Sequence, residues 1–208
     1  MIGRIIECDD CVAEGAAYLA ELDPRFEAAL AQTGKLPLRR KPDGFEELFS
    51  AIVSQQVSLA SARAIWGRLE NAGLHQADAV LTATDEDFKA CGMSRQKIRY
   101  GRALAEAGID FNGLRALPSD EVIRTLVAVP GIGPWTAEIY AMFSLGRADV
   151  FAPGDLALQE AAKVLFELGE RPKEKAFRQM AEDWAPWRAV AARLLWAYYR
   201  VIKDREGI

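Results

Sequence analysis

The stretch Val129-Pro130-Gly131-Ile132-Gly133-Pro134-Trp135-Thr136-Ala137 constrains this chain more than any other. It lies between two apolar patterns of helical length, Val122 to Ala128 and Trp135 to Leu145, so one helix must turn sharply into the next. Gly131 and Gly133 accept positive φ and let another backbone come close. Pro134 starts the second helix, where a missing N–H does no harm. Such a hairpin directs successive amide N–H groups outward at a helix N-terminus, which suits a phosphate. Downstream, after Pro153-Gly154, stands an acid, Asp155, expected at the start of a further helix and so also an N-cap.

The rest of the chain reads as helix nearly throughout. Ala, Leu, Glu and Arg dominate, and Gly and Pro act as punctuation. The pattern predicts helices over 12–22 and 24–33, the second opened by Asp23 as N-cap and Pro24 as N1. Phe45, Leu48, Phe49 and Ile52 mark a buried helical face over 45–52, and Ser58 caps a helix over 59–72. Further helices are expected over 84–91, 94–108 with Ser94 as cap, 119–128 with Ser119 as cap, 135–145, 155–168, 173–183 and 186–202. No segment alternates as a strand does, and no repeat or low-complexity tract occurs. The fold class is all-α, and 208 residues make one domain or two small helical lobes.

Half the residues are hydrophobic, yet no apolar run approaches the roughly 18–20 residues of a membrane span. Glu7, Asp9 and Asp10 break any signal-peptide pattern, so a cytoplasmic protein is expected. The net charge of −4 argues mildly against nucleic acid. Binding depends on where the bases lie, however, and two basic clusters stand out: Lys35, Arg39, Arg40, Lys41, and Arg95, Lys97, Arg99, Arg102. The cysteines, Cys8, Cys11 and Cys91, are odd in number and imply no disulfide framework. Cys8 and Cys11 form a C-x-x-C pair. No second pair follows and the single histidine, His75, sits elsewhere, so the four ligands of a closed zinc site are not at hand. The sequence leaves it a bland N-terminal pair rather than a zinc or redox centre.

The hairpin, the acid beyond it, the junction Ser54-Gln55-Gln56-Val57-Ser58 and the run from Pro186-Trp187-Arg188 to Trp196 together resemble the helix-hairpin-helix (HhH-GPD) DNA glycosylases. The likeness covers about residues 20–200. It implies a two-lobed helical fold with the active-site cleft between the lobes: one lobe over about 40–118, the hairpin and catalytic segment over about 119–168, and the terminal helices 12–35 and 173–202 forming the other lobe, all one unit over 1–208. Asp155 is then the catalytic acid, facing the sugar of an extruded nucleotide. Gly131, Gly133 and Thr136 belong to the phosphate-binding turn.

Bifunctional relatives carry a lysine where this chain has Trp135, for Schiff-base attack on the sugar. Its replacement implies hydrolysis alone, as in the monofunctional 3-methyladenine type, which excises alkylated purines from duplex DNA. Trp135 then faces the cationic base, or else it is helix packing; Trp196 is a second pocket residue or core. Trp184, Trp187, Tyr198 and Tyr199 read as packing. Gln56 matches the residue that fills the gap left by a flipped nucleotide, with Gln55 on the opposite strand or the pocket, unless both are solvated loop residues. Ile139 departs from the pocket tyrosine of some relatives, and Tyr140 points about 100° away on a helix.

Lys97 and Arg99 reach phosphate or lie on a solvated face. The resemblance implies no cofactor: the four cysteines of an iron–sulfur cluster are missing, no side chains hold a metal, and only a monovalent cation, Na+ or K+, on hairpin carbonyls is in keeping with it. It implies a monomer. A uracil- or mismatch-directed glycosylase on the same scaffold, a non-catalytic helix-hairpin-helix module and a helical protein-interaction domain remain alternatives.

Overall fold

Small polar side chains set where this chain turns helical. The computed structural model describes residues 2–206. Among them run α1 (Asp9–Leu22), α2 (Pro24–Thr33), α3 (Phe45–Ser54), α4 (Leu59–Asn71), α5 (Ala77–Thr82), α6 (Asp85–Ala90), α7 (Arg95–Glu106), α8 (Phe111–Leu114), α9 (Ser119–Val127), α10 (Pro134–Phe143), α11 (Leu156–Leu165), α12 (Glu174–Met180), a 3₁₀ turn (Ala181–Trp184) and α13 (Arg188–Glu206). Asp23, Ser58 and Ser94 accept the amides of Arg25, Ser61 and Lys97 and so cap α2, α4 and α7 as the sequence predicts. Thr84 and Asp87 form a capping box at α6.

The all-α expectation holds. Within the described residues strand-like pairing is confined to an isolated bridge between Ile5 and Arg147. No described helix is long and apolar enough to cross a membrane. Ser119, expected as a cap, is instead the first residue of α9. Pro118 holds the cap position without a side-chain bond, its carbonyl accepting the amides of Glu121 and Val122. Proline's fixed φ suits that border, which displaces the start by one residue. α5 and α8 lie outside the helices expected from sequence.

The contacts divide the chain into two units, Met1–Arg40 with Ala141–Ile208, and Lys41–Tyr140. The hairpin therefore belongs to the continuous unit and Asp155 to the discontinuous one. α10 starts in the first of these and ends in the other.

In the discontinuous unit, α13 packs on α1, α2 and α11. Trp184 is its aromatic hub, within 5.4–5.9 Å of Phe26, Phe151, Phe166 and Phe177. Such edge and stacked pairs add roughly 0.5–1.5 kcal/mol each beyond area burial. Trp187 and Tyr198 are also buried, as read from sequence. Arg193, 1% exposed, donates to the Leu38 and Ala189 carbonyls and lies 4.8 Å from the Phe143 ring. Burial, with Arg39 and Arg40 adding repulsion, pushes its pKa down to about 10. An N-terminal strap is pinned here: Ile6 N–H donates to Gly146 and Ala148 N–H to Arg4.

At the α2 start, the Asp23 carboxylate holds the Arg25 guanidinium as well as its amide, and the Arg25 bond keeps its pKa below the usual Asp range. A carboxyl with a depressed folded pKa contributes stability that is present above its unfolded pKa, about 3.9, and lost as pH falls through the folded value. Asp23→Ala should lower stability at neutral pH and flatten the fall below about pH 4, as read by urea unfolding across pH.

In the unit Lys41–Tyr140, α3 packs on α4 and α7. Its buried face is Leu48, Phe49, Ile52 and Val53. Gly101 makes that packing close: a Cβ there would stand 2.5 Å from the Phe49 ring.

Candidate active site

The hairpin is built from α9, its turn and α10. Ala128 ends α9, the Val129 amide donates to Leu126 and the Ile132 amide to Val129. Gly131 sits at φ +95°, in the region that favours glycine, and a Cβ there would meet Tyr100 Cγ at 2.4 Å. What comes close is thus a side chain, not a backbone. Gly133 differs from the expectation: its φ is not positive, and a Cβ would meet nothing within 4 Å. It faces open space. Its carbonyl accepts the Ala137 amide at 3.1 Å, the first such bond of α10, so the peptide groups ahead of Ala137 form the outward-facing start of that helix.

A recess of about 430 Å³ opens beside this start, lined by Leu48, Gln55, Leu59, Trp135, Thr136 and Ile139 among others. Trp135 is 47% exposed and Leu59 76%, so neither is helix packing; both form an apolar wall open to a ligand. Ile139 lines it one turn beyond Trp135. Tyr140 lines it too, although the sequence points it away. Its hydroxyl accepts the Gly44 amide at 2.8 Å, and burial pushes its pKa up to about 12, so it is a neutral wall element.

Gln55 ends α3 and donates from Nε2 to the Gly131 carbonyl at 2.9 Å. The sequence set it against solvent, a strand or the pocket; it ties the junction to the hairpin. Gln56 is exposed and left-handed, φ 55°. That conformation costs a non-glycine residue about 1–2 kcal/mol, which marks the junction tip as a place where shape outweighs stability. Gln56 borders a second recess of about 260 Å³ with Ser94, Lys97 and Tyr100.

Lys97, one of the phosphate candidates, donates from Nζ to the Val53 carbonyl at 2.7 Å and is thereby a C-terminal cap of α3. Burial lowers its pKa. Other members of the basic clusters are likewise paired: Lys35 with Asp9, Lys41 with Glu47 and Arg102 with Asp85. Arg95 and Arg99 are exposed on α7.

In the other unit, Asp155 is the N-cap of α11. Its Oδ1 accepts the amides of Ala157 and Leu158 at 2.9 and 3.0 Å. The residue is half-exposed. Gln159, buried, donates to the Pro153 carbonyl at 2.7 Å and holds the turn before it. Trp196 on α13 is half-buried against Phe143, rings 5.7 Å apart.

Comparison with known proteins identifies the family. The HhH-GPD superfamily base excision DNA repair protein family matches residues 49–186. DNA-3-methyladenine glycosylase 1 of Schizosaccharomyces pombe is 32% identical over 193 residues, covering 86% of this chain and 84% of that protein. A DNA-3-methyladenine glycosidase from Bacillus halodurans has a similar structure, with a TM-score of 0.81 and 36% identity over 89% of this chain and 88% of that one. The S. pombe 3-methyladenine DNA glycosylase Mag1, solved with abasic DNA, gives a TM-score of 0.74 and 29% identity, covering 88% and 95%. The family match takes in the Gln55–Gln56 junction, the hairpin and Asp155 and spans well over half of the sequence: the chain belongs to the HhH-GPD superfamily of base excision DNA repair proteins.

Proposed function

We propose that this protein is a monofunctional DNA glycosylase that removes alkylated purines from duplex DNA and leaves an abasic site. The observation that carries the reading is Trp135. It stands in the first turn of α10, where a lyase needs an amine, and presents an aromatic face to an open apolar recess. A methylated purine is a cation, and a tryptophan face attracts it by roughly 1–3 kcal/mol through cation–π attraction and stacking. The relatives named as 3-methyladenine glycosylases support the same substrate class.

In this reading Gln56 fills the gap left by the flipped nucleotide, the hairpin start at Gly131, Gly133 and Thr136 holds a phosphate, and Trp196 is a second pocket residue. The bond from sugar C1′ to the base nitrogen breaks, and the electron pair leaves with the base, whose positive charge it neutralises. Such a leaving group needs no proton, which suits a recess without histidine. Asp155 stabilises the positive charge on the sugar and orients the water whose oxygen joins C1′. The Val129 and Gly131 carbonyls each accept one hydrogen bond and keep a second lone pair, which fits a Na+ or K+ holding the turn.

The test is chromatography of bases released from methylated duplex DNA. Release of methylated purines, with strands intact until alkali, is the expected result; no release despite DNA binding overturns the reading, and release of uracil alone points to the uracil-directed alternative. Trp135→Ala should slow release of cationic methylpurines by about 10-fold or more, and of an uncharged base such as hypoxanthine by less. A salt titration separates the lysines from the arginines. Lys97→Ala should cost about 1–3 kcal/mol of stability, because the Val53 carbonyl loses its donor, and leave the salt slope of DNA binding unchanged. Arg99→Ala should leave stability alone and reduce that slope by about 1.

A further inference from the structure

The two N-terminal cysteines have a geometry that the DNA reading does not use. Cys8 is the N-cap of α1 and Cys11 lies in its first turn. Their sulfurs are 3.5 Å apart, Cys8 exposed and Cys11 partly so. Backbone hydrogen bonding at Glu7 and Cys8, with Arg4 nearby, holds the Cys11 thiol below its usual pKa. Of the acids beside them in sequence (Glu7, Asp9 and Asp10), Asp9 is paired with Lys35 at 2.6 Å. Among the described residues no group of three or more His, Cys, Asp or Glu is placed to hold a metal ion. The third cysteine, Cys91, is buried.

We propose that Cys8 and Cys11 are a redox-active dithiol, which a small-molecule disulfide such as oxidised glutathione converts to an internal disulfide. Helix N-termini, a neighbouring Arg and the C-x-x-C spacing are the settings in which a cysteine becomes a thiolate nucleophile. The Cys11 thiolate attacks one sulfur of the small disulfide, forming a mixed disulfide and expelling one small thiolate. That thiolate takes the Cys8 proton. The Cys8 thiolate then attacks Cys11 Sγ, the second small thiol leaves with the proton Cys11 had lost, and the protein pair is oxidised as the small disulfide is reduced to two thiols. The sulfurs need to close from 3.5 Å by about 1.5 Å, within reach of side-chain rotation at exposed Cys8. From sequence alone this is a bland pair, because the 3.5 Å approach of the two sulfurs becomes visible only once α1 is formed.

The experiment incubates the whole protein with oxidised glutathione, quenches in acid, alkylates and weighs the peptides. Wild type should accumulate a Cys8–Cys11 disulfide, lighter by two hydrogen atoms, with little glutathione retained. Cys8→Ser should stop at a glutathione adduct on Cys11, and Cys11→Ser should form its adduct on Cys8 about tenfold more slowly or worse. Wild type that keeps a glutathione adduct and forms no internal disulfide, or a Cys11→Ser variant that reacts as fast as Cys8→Ser, overturns the proposal. Both serine variants change a helix end without touching the core, so circular dichroism should match wild type.

Discussion

Asp155→Asn should lower base release from methylated duplex DNA by a factor of about 10²–10³, roughly 2.7–4 kcal/mol of transition-state stabilisation, and leave DNA affinity and stability near wild type. The cap geometry makes this substitution clean. Oδ1 of Asp155 accepts the Ala157 and Leu158 amides, and an asparagine oxygen serves the same two donors. Asn and Asp are equal as N-caps, so α11 keeps its start. What the variant lacks is the negative charge that meets the positive charge developing on the sugar. Single-turnover release on a methylated oligonucleotide, beside a binding titration of the same duplex, reads the two effects apart. Asp155→Ala is the companion, because it removes charge and cap together and adds a stability loss of about 1 kcal/mol. A loss of DNA affinity in the asparagine variant with turnover per bound complex unchanged would make Asp155 a binding residue and return the non-catalytic module to first place.

The second large effect separates two glycines that look alike in sequence. Gly131→Ala should destabilise the protein by about 2–5 kcal/mol, since a Cβ at φ +95° is strained by about 1–2 kcal/mol and must also displace the Tyr100 ring, a small-to-large cost of about 1–3 kcal/mol. Gly133→Ala has neither problem and should stay within about 0.5 kcal/mol of wild type. Its added methyl group instead enters the open space ahead of α10, where the proposed phosphate contact lies. DNA affinity should fall about tenfold, the loss of one good backbone contact. Urea midpoints and duplex binding, measured on both variants, should therefore move in opposite columns: stability for Gly131, affinity for Gly133. Equal behaviour of the two would mean that the hairpin's shape, not its open face, is what matters.

Local chemistry was legible in the sequence and long-range chemistry was not. Asp23, Ser58, Ser94 and Asp155 were each readable as caps, because a cap bond spans two or three residues and depends on little else. The family resemblance makes Trp135 a pocket wall and its helical setting makes it packing; only the tertiary fold exposes it. Gln55 reaches the Gly131 carbonyl across 76 positions of sequence, and Lys97 reaches Val53 across 44, so neither partner could be inferred from a window. Gln55 at its junction and Lys97 at a basic helix start both read as solvated or DNA-facing until a carbonyl is found for them. Arg193 is the sharper case. A charged residue in an alanine- and leucine-rich helix reads as surface, yet it is buried because the Leu38 carbonyl needs a donor there.

The discontinuity of one unit has a temporal side. Residues Lys41–Tyr140 emerge from synthesis as an unbroken run, whereas Met1–Arg40 belongs to one unit with Ala141–Ile208, made later. At about 5–20 residues per second, the intervening segment alone imposes a delay of about 5–20 s on the nascent N-terminal helices. During it Leu19, Phe26 and Ala29, buried in the finished protein, lack the α13 face that covers them. The hairpin turn is thus made before the segment that carries Asp155, while α1 and α2 are made first and wait for α13.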